Sequence, residues 1–319
     1  MERKEGYTVF NRSGKNTEKA WLFTDWEGPW VLNDFAYEIC LAVFNNERFY
    51  RNLSEYDDYL FYVVKKERYE AGYTLKLLVP FISAYGIEEK VINGLINSAI
   101  FVPDAKIASE EILQHFEPVV ISTAYRKFVA ETAKKIGFKI VHGSDVDFSM
   151  ELEKALKEKL LESVDVIASL KGEELFEFLD KIMSKLWDRL ANLNVVGARE
   201  KAEILEKYET NNPIVIGDSI TDCKMFEKAK ELGGVAIAFN GNKYALEKAD
   251  VCIVSPSAMS TAIVVETLLK SGMNLNPLKS QKYPKGTKIY IMSDSDFEVV
   301  LEESMRMRVR LRGSAGSLG

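Results

Sequence analysis

Short apolar runs, each ended by an oxygen-bearing side chain, recur along this chain between stretches of helical spacing. "WLFTD" closes on Asp25, "VVIS" on Ser122 and "PIVIGD" on Asp218. Runs of this length without polar alternation read as strands buried on both faces. "FKIVHG", "GVAIAF", "DVCIVS" and "KIYIMS" are of the same kind. Between them, apolar residues recur at three- and four-residue steps over about 125–136, 199–208 and 224–232, and in "AMSTAIVVETLLKS". The first of these helices stops at Gly137, a normal C-terminal signal. Strands alternating with helices imply an α/β fold: a Rossmann-like parallel sheet with helices on both faces.

Two mainly helical blocks interrupt that alternation. A chain of 319 residues has room for two domains or one elaborated domain. The expected division is a core from 1–30, 109–149 and 193–273, a helical cap at 31–108, a helical insert at 150–192 and a C-terminal extension at 274–319. Residues 1–19 are polar and read as a frayed end or a small hairpin through "RSGK". In the extension, "MRMRVRLRGSAGSLG" sets arginine at alternate positions from Arg306 to Arg312. Period two predicts an exposed edge strand and a flexible end; an anion-binding arm is the other reading.

Composition removes several classes of function. A net charge of -6 gives no general attraction to nucleic acid or anionic lipid. No apolar run approaches a membrane span, and "MERKEGYTVFNRSGK" has no apolar leader core. Cys40, Cys223 and Cys252 are far apart with no CxxC pair, which argues against a disulfide framework or zinc site and for a reducing cytoplasm. His115 and His142 read as structural or surface residues.

In open parallel sheets, ligands bind outside the carboxyl ends of the strands. At those ends stand Asp25 and Glu27, Ser122 and Thr123, then Asp218 and Asp222, with Lys201 early in the helix before the last strand. Carboxylates one helical turn apart repel each other. They are tolerable together if a cation sits among them, and an all-oxygen donor set suits Mg²⁺. Such an ion neutralises phosphoryl oxygens. Lys201 would add positive charge, and Ser122 a hydrogen bond to phosphate. An aspartate relieved of repulsion this way can attack phosphorus, and an acid two residues on can protonate the leaving group and then activate water. Asp218 and Asp222 could instead cap the next helix, but that leaves the other acids unexplained.

The order "LFTDWEG … VVIS … REK … IGDSITD" resembles the haloacid dehalogenase superfamily, most of whose members are Mg²⁺-dependent phosphatases. "GDSITDCKMFEKA" with "GGVAIAFNGNKYALEKADVCI" is the most specific part, similar to phosphoserine-phosphatase-like and sugar-phosphatase-like members. The resemblance implies that Asp25 is the nucleophile and that Glu27 is the acid/base, its backbone carbonyl a metal ligand. It implies phosphate binding by Ser122, with Thr123 the rival donor, and charge neutralisation by Lys201. It makes Asp218 a direct metal ligand and Asp222 an acid that binds the metal through water or holds Lys201. Asn240 would turn towards substrate. An insert placed like 31–108 would lie over the site as a cap, and some among Trp30, Tyr37, Tyr56 and Tyr62 are expected to face the cleft. The implied activity is an Mg²⁺-dependent, cytoplasmic hydrolase that removes phosphate from a small phosphorylated metabolite through an aspartyl-phosphate, without nucleic-acid or membrane partners. "DWEGP" departs from the family's DxDGT or DxDGS: Glu27 is one methylene longer than Asp, and Pro29 has no N–H to give. The alternative reading is a catalytically degenerate member that binds a phosphorylated ligand or a protein partner.

Overall fold

The computed structural model describes residues 8–10 and 16–317. β1 (Thr8–Phe10) and β2 (Asn16–Glu18) pair antiparallel as a separate ribbon. The "RSGK" turn expected between them lies outside the described residues. After β3 (Ala20–Thr24) the chain runs through α1 (Phe35–Phe44), α2 (Glu47–Asp58), α3 (Thr74–Tyr85), α4 (Glu89–Asn97) and α5 (Ala105–His115). It returns to the sheet as β4 (Phe116–Tyr125), crosses by α6 (Arg126–Lys135) to β5 (Ile140–Ser144), and leaves again for α7 (Lys154–Ser169), α8 (Gly172–Met183) and α9 (Trp187–Ala191). Then come α10 (Ala198–Glu206), β6 (Ile214–Gly217), α11 (Cys223–Glu231), β7 (Val235–Phe239), α12 (Lys243–Lys248), β8 (Val251–Val254), α13 (Met259–Lys270), β9 (Lys288–Ile291) and α14 (Phe297–Arg312).

Seven strands form one sheet in the order β5-β4-β3-β6-β7-β8-β9. All neighbours run parallel except β8 and β9. The two faces bury separate sets of side chains. Phe23 packs with Val119, Val215 and Ala236 on one face, while Leu22 packs with Val120, Ile214 and Ile237 on the other. Each such burial contributes about 1.5–3 kcal/mol, which is why the strands read as unbroken apolar runs. From β3 the chain reaches β4 on one side and β6 on the other, so the order reverses at β3. A crevice opens outside the carboxyl ends at such a reversal.

The helices of 150–192 pack on the helices that follow β3. Asn52 of α2 donates to the carbonyls of Ile167 at 2.6 Å and Leu170 at 3.1 Å. It thereby satisfies carbonyls at the end of α7 that have no helical partner. Tyr56 donates to Asp180 of α8 at 2.6 Å, and the ring of Tyr59 stacks on Phe176 with centroids 4.1 Å apart. The two blocks share one apolar core.

The C-terminal arginines are not on an edge strand: residues 306–312 are helical and belong to α14. Asp296 caps that helix, accepting from the amides of Glu298 and Val299. Its buried residues, Val300, Ser304 and Arg308, are spaced four apart, which is one helical face. Alternate arginines therefore separate. Arg308 and Arg312 turn inward, and Arg306 pairs with Glu302 on the solvent side. No described helix is long and apolar enough to cross a membrane, and the three cysteines are unpaired.

Candidate active site

Asp25 is the first residue past β3, and its N–H still donates to Ile216 of β6 at 2.8 Å. Its backbone is thus fixed by the sheet itself. One carboxylate oxygen, Oδ1, accepts from the Trp26 amide at 2.6 Å, and Oδ2 lies 2.9 Å from Lys201 Nζ. Burial raises the Asp25 pKa to about 7; Lys201 opposes this, and the charges of Asp222 and Asp218 add to it.

The loop after Asp25 closes on itself without an amide from Pro29. Trp26 O accepts from Trp30 N at 3.1 Å and Val31 N at 3.2 Å, and Gly28 N donates to Val31 O at 2.8 Å. The two indoles pin this loop from beneath: Trp26 Nε1 donates to Thr132 Oγ1 at 2.8 Å and Trp30 Nε1 to Thr24 Oγ1 at 2.9 Å. Gly28 has φ +99°, and a Cβ there would stand 2.2 Å from Asp218 Oδ2. Only glycine meets both demands.

Lys201, fully buried in the first turns of α10, bridges the cluster. Its Nζ lies 2.8 Å from Asp222 Oδ1 and 3.1 Å from Thr221 Oγ1, besides Asp25. Burial alone would lower its pKa, but Asp222 and Asp25 outweigh burial and raise it. Asp222 Oδ2 accepts from the amides of Asp218 at 2.8 Å and Ser219 at 3.0 Å. Both oxygens of Asp222 are therefore engaged, one folding the 218–222 loop and one holding Lys201. The contact with Lys201, one of its two expected roles, is present. Carboxylate oxygens of Asp25, Asp218 and Asp222 lie within 4.8 Å of one another. That is an all-oxygen set of the kind a divalent ion takes, so these residues fit a metal. The carboxylate of Glu27 is not in the group.

A cleft of about 130 Å³ opens above Asp25. Glu27 lines it while its Oε1 accepts from Phe35 N at 2.7 Å. Burial, then the charge of Asp34, pushes the Glu27 carboxyl well above the usual carboxylate range. Ser122 and Thr123 line the same wall. Ser122 Oγ accepts from Ala124 N at 3.3 Å. Thr123 Oγ1 is buried with no hydrogen-bond partner among the described residues. A buried hydroxyl left in that state needs an explanation, and a ligand oxygen in the cleft provides one for this hydroxyl, which stands beside Ser122. The opposite wall comes from the helical block, through Asp34, Tyr50, Ser54 and Asp57.

Asn240 is not in the cleft. Its side chain donates to Ser255 O at 2.8 Å and accepts from Ser255 N at 2.9 Å, so it clasps the loops after β7 and β8 instead of a substrate. The four aromatics expected at the cleft do not line it either; Tyr50 does. Trp30 is part of the core, Tyr56 points to Asp180, and Tyr62 stacks on Tyr244. Arg308 and Arg312 do line the cleft, and both reach Asp218. The sequence marks them only as part of the arginine alternation from Arg306 to Arg312.

The fold and this sheet-edge site define the class: the chain has the haloacid dehalogenase fold, in the form found in phosphoserine phosphatase. Substrate-bound phosphoserine phosphatase matches with a TM-score of 0.51 and 18% identity over 80% of this chain and 99% of that one. A phospho-aspartyl intermediate analogue of phosphoserine phosphatase gives 0.50 and 19% over 80% and 99%. Within that class, the chain belongs to the family of gene product AF1437 from Archaeoglobus fulgidus. The two share 52% identity with a TM-score of 0.90, over 95% of this chain and 99% of that one. No family model and no curated protein matches the chain.

Proposed function

We propose that this protein is a cytoplasmic, Mg²⁺-dependent phosphatase that hydrolyses a small phosphate monoester through an aspartyl-phosphate on Asp25. The observation that carries this reading is the placement of the Asp25 carboxylate. It is buried at the floor of a cleft, held by Lys201, with hydroxyl donors on one side and, two residues on, an acid whose pKa is raised. The phospho-aspartyl analogue known for phosphoserine phosphatase, which shares this fold, is in keeping with it.

In the first half-reaction an oxygen of Asp25 attacks phosphorus as the phosphorus–ester oxygen bond breaks. Glu27, whose pKa is raised, gives its proton to the departing alkoxide. In the second, Glu27 as carboxylate takes a proton from water, whose oxygen displaces Asp25 from phosphorus. Lys201 holds Asp25 in line and offsets the charge gathered near it. Ser122 and Thr123 hold the phosphoryl oxygens in place. Asp25, Asp218 and the carbonyl of Glu27 would hold a bound Mg²⁺, which would supply neutralisation of phosphoryl charge. The wall from 31–108, with the helices of 150–192 packed on it, forms the cap, which shapes the choice of alcohol and excludes water. The purified chain, given Mg²⁺ and a panel of alkyl, aryl and sugar phosphates, is expected to release phosphate from at least one. Silence across the panel, with the fold intact, would defeat the reading.

One observation favours a second reading, a degenerate member that binds a phosphorylated ligand without turnover. Asp218 already carries two guanidinium partners. Binding of a phosphate ester with no release of phosphate would select it.

A further inference from the structure

Asp218 draws its cationic partners from outside the sheet. Arg308 Nη1 donates to Asp218 Oδ2 and, at 3.2 Å, to the Asp218 carbonyl. Arg312 Nη1 donates to the same Oδ2 at 3.0 Å. Both side chains are almost fully buried, 4% and 6% exposed. They are also anchored at their other nitrogens. Arg308 Nε donates to Gly316 O at 3.1 Å, while Arg312 Nε and Nη2 donate to Leu32 O at 3.2 Å and Asn33 O at 3.1 Å. Ser304, one turn earlier, donates to Gly241 O at 2.7 Å. The helix α14 is thus fastened to the segment just beyond the nucleophile loop and to the loop after β7.

The consequence is one of charge. Counted as ionised, Asp25, Asp218 and Asp222 bring three negative charges against the three positive ones of Lys201, Arg308 and Arg312. A guanidinium does not give up its proton in a protein, so the arginines cannot adapt by titrating. A divalent ion entering alone leaves two uncompensated charges in a buried site, which is costly. A dianion entering with it restores the balance.

We propose that Arg308 and Arg312 set the cation affinity of this site: standing on Asp218 as built-in counter-charge, they make a divalent ion bind weakly alone and tightly together with a phosphate-like dianion. This deepens, and rests on, the reading of the sheet edge as a metal-assisted phosphoryl site. Both arginines act through Asp218 as positioning residues for the ion.

The test is Mn²⁺ binding to the full chain, followed by the paramagnetic resonance of free Mn²⁺, with and without sulfate. Wild type is expected to bind Mn²⁺ at least tenfold more tightly in saturating sulfate. The R308Q/R312Q variant is expected to bind Mn²⁺ alone at least tenfold more tightly than wild type, with most of the sulfate dependence gone. Circular dichroism and melting establish that the variant is folded. A folded double variant that binds Mn²⁺ no more tightly than wild type overturns the proposal, as does no binding in either form. Should the double variant not fold, R312Q alone removes one charge, and severalfold tightening is expected; unchanged affinity overturns the proposal equally. Turnover is read separately. A chain inactive on every phosphate ester that still shows the tightening loses the phosphatase reading alone, and an active chain without it loses only the role given to the arginines.

Discussion

The two walls of the cleft bury carboxylates in opposite ways. On the sheet side Asp25 and Asp222 share Lys201, and Asp218 has Arg308 and Arg312. On the cap side Asp57 is 3% exposed, as deeply buried as Asp218, and it accepts from Tyr69 OH at 2.6 Å and Thr74 Oγ1 at 2.8 Å, with no ion pair among the described residues. Glu27, between the walls, accepts from an amide. A carboxylate beside a fixed cation can keep its charge when buried, whereas one beside hydroxyls and amides is relieved by taking a proton. The sheet wall thus sets its buried carboxylates on cations and the cap wall sets its own on neutral donors, while burial raises the pKa of Asp25 and of Asp57 alike to about 7. Four substitutions probe that contrast.

The largest effect is expected at Asp25. Asn keeps an acceptor for the Trp26 amide but cannot attack phosphorus, so D25N should lower kcat by about 10⁴-fold or more with little change in melting. Residual turnover within tenfold of wild type would move the nucleophile elsewhere. Next is Lys201. K201M leaves Asp25 and Asp222 buried without their shared cation, and removing one partner of a buried pair costs about 3–5 kcal/mol. Denaturant titration measures this; a loss below about 1 kcal/mol would mean that the sheet-side acids do not depend on their cation.

The same contrast marks what could be read from the sequence. Asp25, Asp218 and Asp222 were legible as candidates because each follows a strand whose apolar run fixes where the chain leaves the sheet, and Ser122 because an apolar run ends at it, although β4 continues to Tyr125. Lys201 was legible from its place in the helix before the last of those strands. Arg308 was not, because it meets Asp218 across a separation of 90 residues, and alternate arginines suit a strand as well as a helix until the buried face is known. The cap was legible as helices but not by orientation. Helical periodicity marks Tyr56 as lying on an inward face, yet the partner it turns to, Asp180, stands 124 residues later in α8. Asn240 shows the converse limit: a polar residue past a strand end can be spent entirely on the neighbouring loop.

Glu27 gives the third test. E27Q keeps the acceptor for Phe35 N and removes the proton that Glu27 holds, so loss of general acid catalysis should cost about 10²–10⁴-fold in kcat for an alkyl phosphate. An aryl phosphate, whose leaving group needs no proton, should lose far less in its first step. Equal losses on the two substrates would show that Glu27 positions the loop and does not supply the proton.

The smallest effect is expected at Asp57, and it is read as stability. Burial raises its pKa to about 7 in the folded chain, although the Tyr69 and Thr74 hydroxyls lower it in part. In the unfolded chain an aspartate titrates near its ordinary value of about 3.9. Between those limits the folded state binds the extra proton, and stability falls wherever the folded state binds more protons than the unfolded one. The stabilising contribution is therefore complete below pH about 4 and is lost as pH rises through about 7. Three units correspond to at most about 4 kcal/mol. Asparagine at this position does not titrate, so the wild-type curve should fall relative to that of D57N between pH 4 and pH 8. The difference between the two curves isolates Asp57, because the other buried acids titrate in both proteins. Parallel curves would mean that Asp57 keeps an ordinary pKa and that neutral donors alone let the cap wall keep a buried charge.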